Sequence, residues 1–116
     1  MPERKPITPE SLLEMRWVSD AQLAPDQQRV VWVEHWIEEI EKDGKKRQAY
    51  RTALYLSEGD GAAPRRLTYA AKGNDSAPRW SPDGKHIAFI SNRQKPKSQI
   101  YVIPTDGGEA RPITTL

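Results

Sequence analysis

The stretch "LAPDQQRVVWV" (23–33) recurs as "WSPDGKHIAFI" (80–90). Leu23 falls on Trp80, Pro25 on Pro82, Asp26 on Asp83, and Val30, Trp32 and Val33 on Ile87, Phe89 and Ile90. "LYL" (54–56) then matches "IYV" (100–102), and "DGAAPRRLT" (60–68) matches "DGGEARPIT" (106–114). The copies start 57 residues apart and end 46 apart, so the first carries eleven extra residues in its middle. Such a repeat narrows the choice of fold sharply. Each copy is one supersecondary unit that buries its apolar face only by stacking on a neighbour.

Each unit reads as four short strands. Ser81-Pro82-Asp83-Gly84 suits a tight turn, because Pro presets φ, Asp favours turns and Gly accepts positive φ. It joins a strand at about 76–80 to one at about 86–91. "HIAFI" and its counterpart "VVWV" are continuously apolar, which predicts cover on both faces. A third strand follows at 99–103, then the turn "PTDGGE" and a fourth strand at about 109–114. Four antiparallel strands per unit, in stacked sheets, describe an all-β fold: two blades of an incomplete β-propeller. Residues 17–70 form blade 1 and residues 71–116 form blade 2.

The first copy departs from the second in two places. Gln27 stands where Gly84 stands, which predicts either a strained positive φ costing about 1–2 kcal/mol or a different turn. The insert "EHWIEEIEKDGKKRQAYRT" (34–52) supports two structures. Val33, Trp36, Ile37 and Ile40 have helical spacing. A hairpin folded at Asp43-Gly44 instead pairs Glu41 with Lys46, Ile37 with Tyr50, Val33 with Leu54 and Trp32 with Tyr55, in register with the flanking strands. The hairpin is favoured, and the helix stays open. Ahead of the repeats, residues 1–16 form an arm with a short helix: Thr8 is an N-cap, Pro9 suits the first turn, and Leu12, Leu13 and Met15 make a small apolar stripe. The stripe lies either against the first blade or on something outside the chain.

The quoted phrases, with "ITPESLLEMRWVSD" at the start, resemble the beginning of a prolyl oligopeptidase-family enzyme, in its acylaminoacyl-peptidase (acyl-peptide hydrolase) branch. "WSPDG…IAF" and "DGGE" also occur in TolB-like propellers. The resemblance implies a propeller of typically seven blades over an α/β-hydrolase domain that carries a Ser-Asp-His triad. The propeller gates entry of peptides, and the N-terminal helix packs on the hydrolase domain. No G-x-S-x-G nucleophile elbow occurs in the chain, so the hydrolase domain is expected outside it. This piece is then the non-catalytic N-terminal portion of a serine peptidase. Its expected partners are the remaining blades, the hydrolase domain, a peptide substrate in the parent and a further copy in a homo-oligomer.

No residue is assigned a catalytic, cofactor-binding or metal-binding role, and no cofactor is expected. His35 and His86 read as strand or surface residues, and Ser76, Ser81 and Ser91 as turn or strand-end residues. Glu34, Glu38, Glu39 and Glu41 beside His35 could ligate a metal, but Lys and Arg across the hairpin neutralise them more simply. Asn74 and Asp75 read as strand-entry chemistry. Charged residues are 29% of the chain and hydrophobic residues 36%, so the core is thin. The net charge is +2. The clusters Lys45–Arg47, Arg65–Arg66 and Arg93, Lys95, Lys97 are dispersed among acids and read as solvated surface. Neither a nucleic-acid nor a membrane partner is expected. With no cysteine and no apolar leader, the expected location is the cytoplasm.

Overall fold

The computed structural model describes residues 15–59, 62–70, 73–93 and 97–113. Its strands are β1 (Arg16–Leu23), β2 (Val30–Lys42), β3 (Lys45–Ser57), β4 (Arg65–Arg66), β5 (Asp75–Trp80), β6 (His86–Ser91), β7 (Gln99–Pro104) and β8 (Arg111–Pro112). They form two antiparallel four-stranded sheets, ordered β1-β2-β3-β4 and β5-β6-β7-β8. The described residues contain no helix. The helix expected in the arm falls on residues that are not described, apart from Met15 and Arg16, and Arg16 already opens β1.

The insert is a hairpin. Glu41 faces Lys46, Ile37 faces Tyr50, Val33 faces Leu54 and Trp32 faces Tyr55, with Asp43 and Gly44 both at positive φ in the two-residue loop. The helical spacing of Trp36, Ile37 and Ile40 loses because the ladder already runs through Val33, and cross-strand pairing satisfies every residue up to Lys42.

The two sheets match residue for residue. Trp32 pairs with Tyr55 as Phe89 pairs with Tyr101, and Tyr55 pairs with Arg66 as Tyr101 pairs with Pro112. One extra residue bulges each first strand, between Ser19 and Gln22 and between Ser76 and Arg79. Asp20 and Ala77 hold the equivalent positive φ values of 50° and 54°. The turns repeat as well: Asp26 and Asp83 each accept a backbone N–H two residues on, from Gln28 and Lys85, both at 2.9 Å.

Gln27 adopts φ 61° where Gly84 adopts 71°, so the first turn keeps the shape of the second and absorbs the strain. Gly84 has a second reason to lack a side chain. A Cβ there would lie 2.7 Å from Arg29 Nη2, which donates to the Gly84 carbonyl at 3.0 Å. Gly84→Ala should therefore cost about 1–2 kcal/mol from the backbone alone, and more if Arg29 is displaced. Gln27→Gly should be neutral or stabilising. Urea unfolding of both variants checks the contrast.

One buried cluster joins the sheets: Val31, Val33, Leu54, Leu56 and Leu67 from the first, Ile87, Phe89, Tyr101 and Ile103 from the second. Cover on both faces of "VVWV" and "HIAFI" is not what these two sheets provide. Val31 and Val33 are buried while Val30 and Trp32 are half-buried, and Ile87 and Phe89 are buried while Ile90 is 42% exposed. Strand side chains alternate between faces, and two stacked sheets enclose only the faces between them.

Candidate functional site: the joint between the sheets and its open faces

At the joint, the first sheet presents Val31, Val33, Leu54 and Leu56, and the second answers with Ile87, Phe89, Tyr101 and Ile103. The repeat alignment gives these faces their meaning. Phe89 and Tyr101 correspond to Trp32 and Tyr55, which lie on the far side of the first sheet. Val31, Val33, Leu54 and Leu56 correspond to Ala88, Ile90, Ile100 and Val102, on the far side of the second sheet. Both aromatic pairs stack, at centroid separations of 6.4 Å for Trp32–Tyr55 and 6.0 Å for Phe89–Tyr101. At the joint the aliphatic face of the first sheet thus meets the face of the second that carries the aromatic pair. No sheet covers the aliphatic face of the second sheet among the described residues, and Ile90 is 42% exposed.

Polar groups lock the rim of the joint. Trp80 Nε1 donates to the Gln22 carbonyl at 2.9 Å, and the Arg29 guanidinium lies over the Trp80 ring at 4.8 Å. Arg79 pairs with Asp20 at 3.2 Å, so the two bulges meet. Hydrogen bonds from Gln22 and then Arg79 hold the Asp20 carboxyl below its ordinary range. Thr52 donates its N–H to Asn74 Oδ1 at 2.9 Å and its hydroxyl to the Asp75 carbonyl at 2.7 Å. Asn74 and Asp75 therefore do more than start a strand: they seat it on β3.

The Asp75 side chain is fully buried and meets Arg93 Nη2 at 2.9 Å. Arg93 also lies 4.8 Å from the Tyr101 ring and 5.5 Å from Phe89. Reading Arg93 as solvated surface is thereby corrected, since its guanidinium neutralises a buried carboxylate between strand ends. Arg65 and Arg66 are corrected likewise. Arg65 donates to the Thr105 carbonyl across the joint, and Arg66 stacks between Trp36 and Tyr69.

The acids around His35 separate into pairs: Glu34 with Arg16, Glu38 with Arg51 and Glu39 with Lys46. His35 itself bridges three strands. Its Nε2 lies 2.6 Å from Ser19 Oγ of β1 and its Nδ1 meets the Tyr50 hydroxyl of β3, while Trp17 stacks on the ring at 5.3 Å. The sequence marks neither Ser19 nor Tyr50 as a partner of His35. Ser19 reaches His35 because the bulge sets the register of β1, and Tyr50 lies two residues along β3 from Thr52, the residue opposite His35, on the same face. The second nitrogen faces a phenol rather than a carboxylate, so the arrangement fastens strands and does not build a charge-stabilised base. Of the serines singled out, Ser81 bonds Asp83 within its turn, Ser91 accepts from Arg93, and Ser76 is exposed opposite Ile90. His86 opens β6 opposite Pro104.

Burial lowers the His35 pKa below 6.5. The unfolded chain then takes up a proton first as the pH falls, so this part of the stability is present above about pH 6.5 and is lost as the pH drops below it. Melting temperature should fall between pH 7 and pH 5.5, and His35→Gln should flatten that step.

No family model matches the chain. An uncharacterized peptidase, YuxL, of Bacillus subtilis (strain 168) is 35% identical over 113 residues, 97% of this chain and 16% of its own length. Dipeptidyl-peptidase 5 of Porphyromonas endodontalis is 27% identical over 110 residues, 95% of this chain and 15% of its own length. Tol-Pal system protein TolB of Legionella pneumophila (strain Corby) is 34% identical over 66 residues, 57% of this chain. The chain spans only 15–16% of the length of these relatives. Over nearly its whole length, this pair of stacked sheets is related to proteins named as peptidases.

Proposed function

We propose that the two sheets are consecutive blades of a β-propeller that walls the substrate chamber of a serine peptidase, of the acylaminoacyl-peptidase type. The observation that carries this reading is the succession of faces: Ala88, Ile90, Ile100 and Val102 repeat the surface on which the first sheet binds the second. A third unit fits there by the contacts already seen at the first joint. The Cα radius of gyration, 16.2 Å, also exceeds the roughly 13 Å of a closed domain of this length. Peptidase-named relatives several times longer than the chain supply the enzymatic half of the proposal. In this reading the chain contributes no catalytic group. Its partners are the following blades, a hydrolase domain and the peptide that passes between them.

The coding sequence past Leu116 tests this directly. Further repeats followed by a G-x-S-x-G elbow are expected. The full-length protein should react with a serine-directed fluorophosphonate and release p-nitroaniline from N-acetyl-alanyl-p-nitroanilide. Faster release from a free-amino dipeptidyl substrate would overturn the acylaminoacyl assignment and leave a peptidase.

TolB-named relatives favour a second reading, a propeller that binds protein and does no chemistry. Repeats that end in a stop codon without an elbow would establish it. Either parent leaves the aliphatic face of this chain uncovered when it is expressed alone. Light scattering should then show association that grows with concentration.

A further inference from the structure

We propose that the edge of β3 over Lys46–Tyr50, which pairs with no strand among the described residues, is a docking site for an extended acidic peptide, which joins the first sheet as an added strand. β3 pairs with β2 from Lys45 to Ser57, but with β4 only at Tyr55 and Leu56. The chain after β4 covers the next stretch of edge. Leu67 N–H donates to the Leu54 carbonyl at 2.8 Å, Leu54 N–H to Thr68 Oγ1 at 3.0 Å and Thr52 N–H to Asn74 Oδ1 at 2.9 Å. Alternate residues of an antiparallel strand turn their N–H and C=O to opposite sides. Leu54 and Thr52 turn theirs away from β2, so Tyr50, Gln48 and Lys46 do the same. Among the described residues no strand pairs with them.

Two cavities flank this edge, and both are lined in part by Arg51 and Gly73. One, of about 650 Å³, is lined by Ile40, Ala49, Tyr50 and Asn92 among others. The other, of about 300 Å³, is lined by Trp36, Arg66 and Tyr69. Most of the lining that β2 and β3 give to both cavities lies on the face of the sheet that carries Ala49 and Arg51, so main-chain bonds would hold a bound strand while the cavities receive the side chains it turns to that face. The first sets Ile40, Ala49 and Tyr50 beside Glu41, Lys42 and Arg51, and the second sets Trp36 and Tyr69 beside Glu38, Arg51 and Arg66.

Charge names the occupant. Lys45, Arg47 and Arg51 share one face of β3, and Lys45 and Arg47 form no ion pair among the described residues. Acids at every second position of an added strand would lie directly opposite them. The acids of β2 stand one strand further off, and of the two that also line the cavities, Glu38 and Glu41, Glu38 is taken up by Arg51. A second copy paired through the same edge would set these cations against each other, which disfavours self-pairing. The proposed edge belongs to the first sheet, and the proposal is independent of the peptidase reading.

The probe is an end-blocked, fluorescein-labelled Glu-Val-Glu-Val-Glu-Val peptide, titrated with the chain and followed by anisotropy. Saturable binding is expected, weakening several-fold between about 50 mM and about 500 mM salt. The matching Lys-Val peptide should bind about tenfold more weakly or worse. Gln48→Pro removes one edge donor and should cost about tenfold in affinity with an unchanged circular dichroism spectrum. Should that variant change the spectrum, the pair Lys45→Glu with Arg47→Glu serves instead and should reverse the preference toward the lysine peptide. No binding of the glutamate peptide, equal binding of both peptides, or full binding by Gln48→Pro with an intact spectrum would each overturn the proposal. So would a dimer that Gln48→Pro abolishes, because the edge would then belong to a second copy.

Discussion

Replacing Phe89 with alanine should destabilise the protein by about 3–5 kcal/mol, the usual cost of removing a buried phenylalanine and leaving a cavity. Phe89 is 1% exposed, stacks on Tyr101 and sits in the cluster shared by the two sheets. Against a total stability of about 5–15 kcal/mol the change is large. In urea it should move the midpoint down by more than about 1 M. The equivalent truncation on the open face, Ile90→Ala, should do far less, because that side chain is 42% exposed and has no opposing sheet among the described residues. Equal effects at the two positions would mean that the sheets do not stack as described.

Arg93→Met should cost as much, for an electrostatic reason. The Asp75 carboxylate has no exposed surface, and Arg93 is the cation that meets it. Removing one partner of a buried pair leaves the other uncompensated, at about 3–5 kcal/mol. Asp75→Asn in the same chain should recover part of that loss, since a neutral amide tolerates burial. The methionine is close to the arginine stem in bulk, so packing on Phe89 and Tyr101 is partly kept. A double-mutant cycle in urea separates the two contributions. If the double variant is no more stable than Arg93→Met, the loss lies in stacking on the two rings and not in the ion pair.

Much of this fold is legible in the sequence because its determinants are local. Asp43-Gly44 fixes a two-residue loop, and the loop fixes every pair back to Val33–Leu54. Pro82-Asp83-Gly84 fixes a turn whose hydrogen bonds stay within a few residues. The assignment of faces is harder to see. "VVWV" and "HIAFI" are apolar throughout, so the run of residue types conceals which side is enclosed. The joint is less legible still. The bulges sit at Asp20 and Ala77, neither a glycine, and nothing in the residue types announces a positive φ there. Without the bulge in β1, the meeting of Ser19 with His35 cannot be anticipated. Arg93 hides among lysines for a similar reason: its burial comes from the strand ends around it, which its own sequence neighbours do not reveal.

The matched pairs of faces bear on how such proteins change length over evolution. When every junction is made by the same two surfaces, duplicating or deleting one module demands no newly invented contact. If further units join through the same two surfaces, copy number can drift while each seam is inherited intact. The eleven residues by which the first module exceeds the second lengthen a ribbon that runs past the seam. An appendage of that kind can therefore diversify at little risk to the array that bears it.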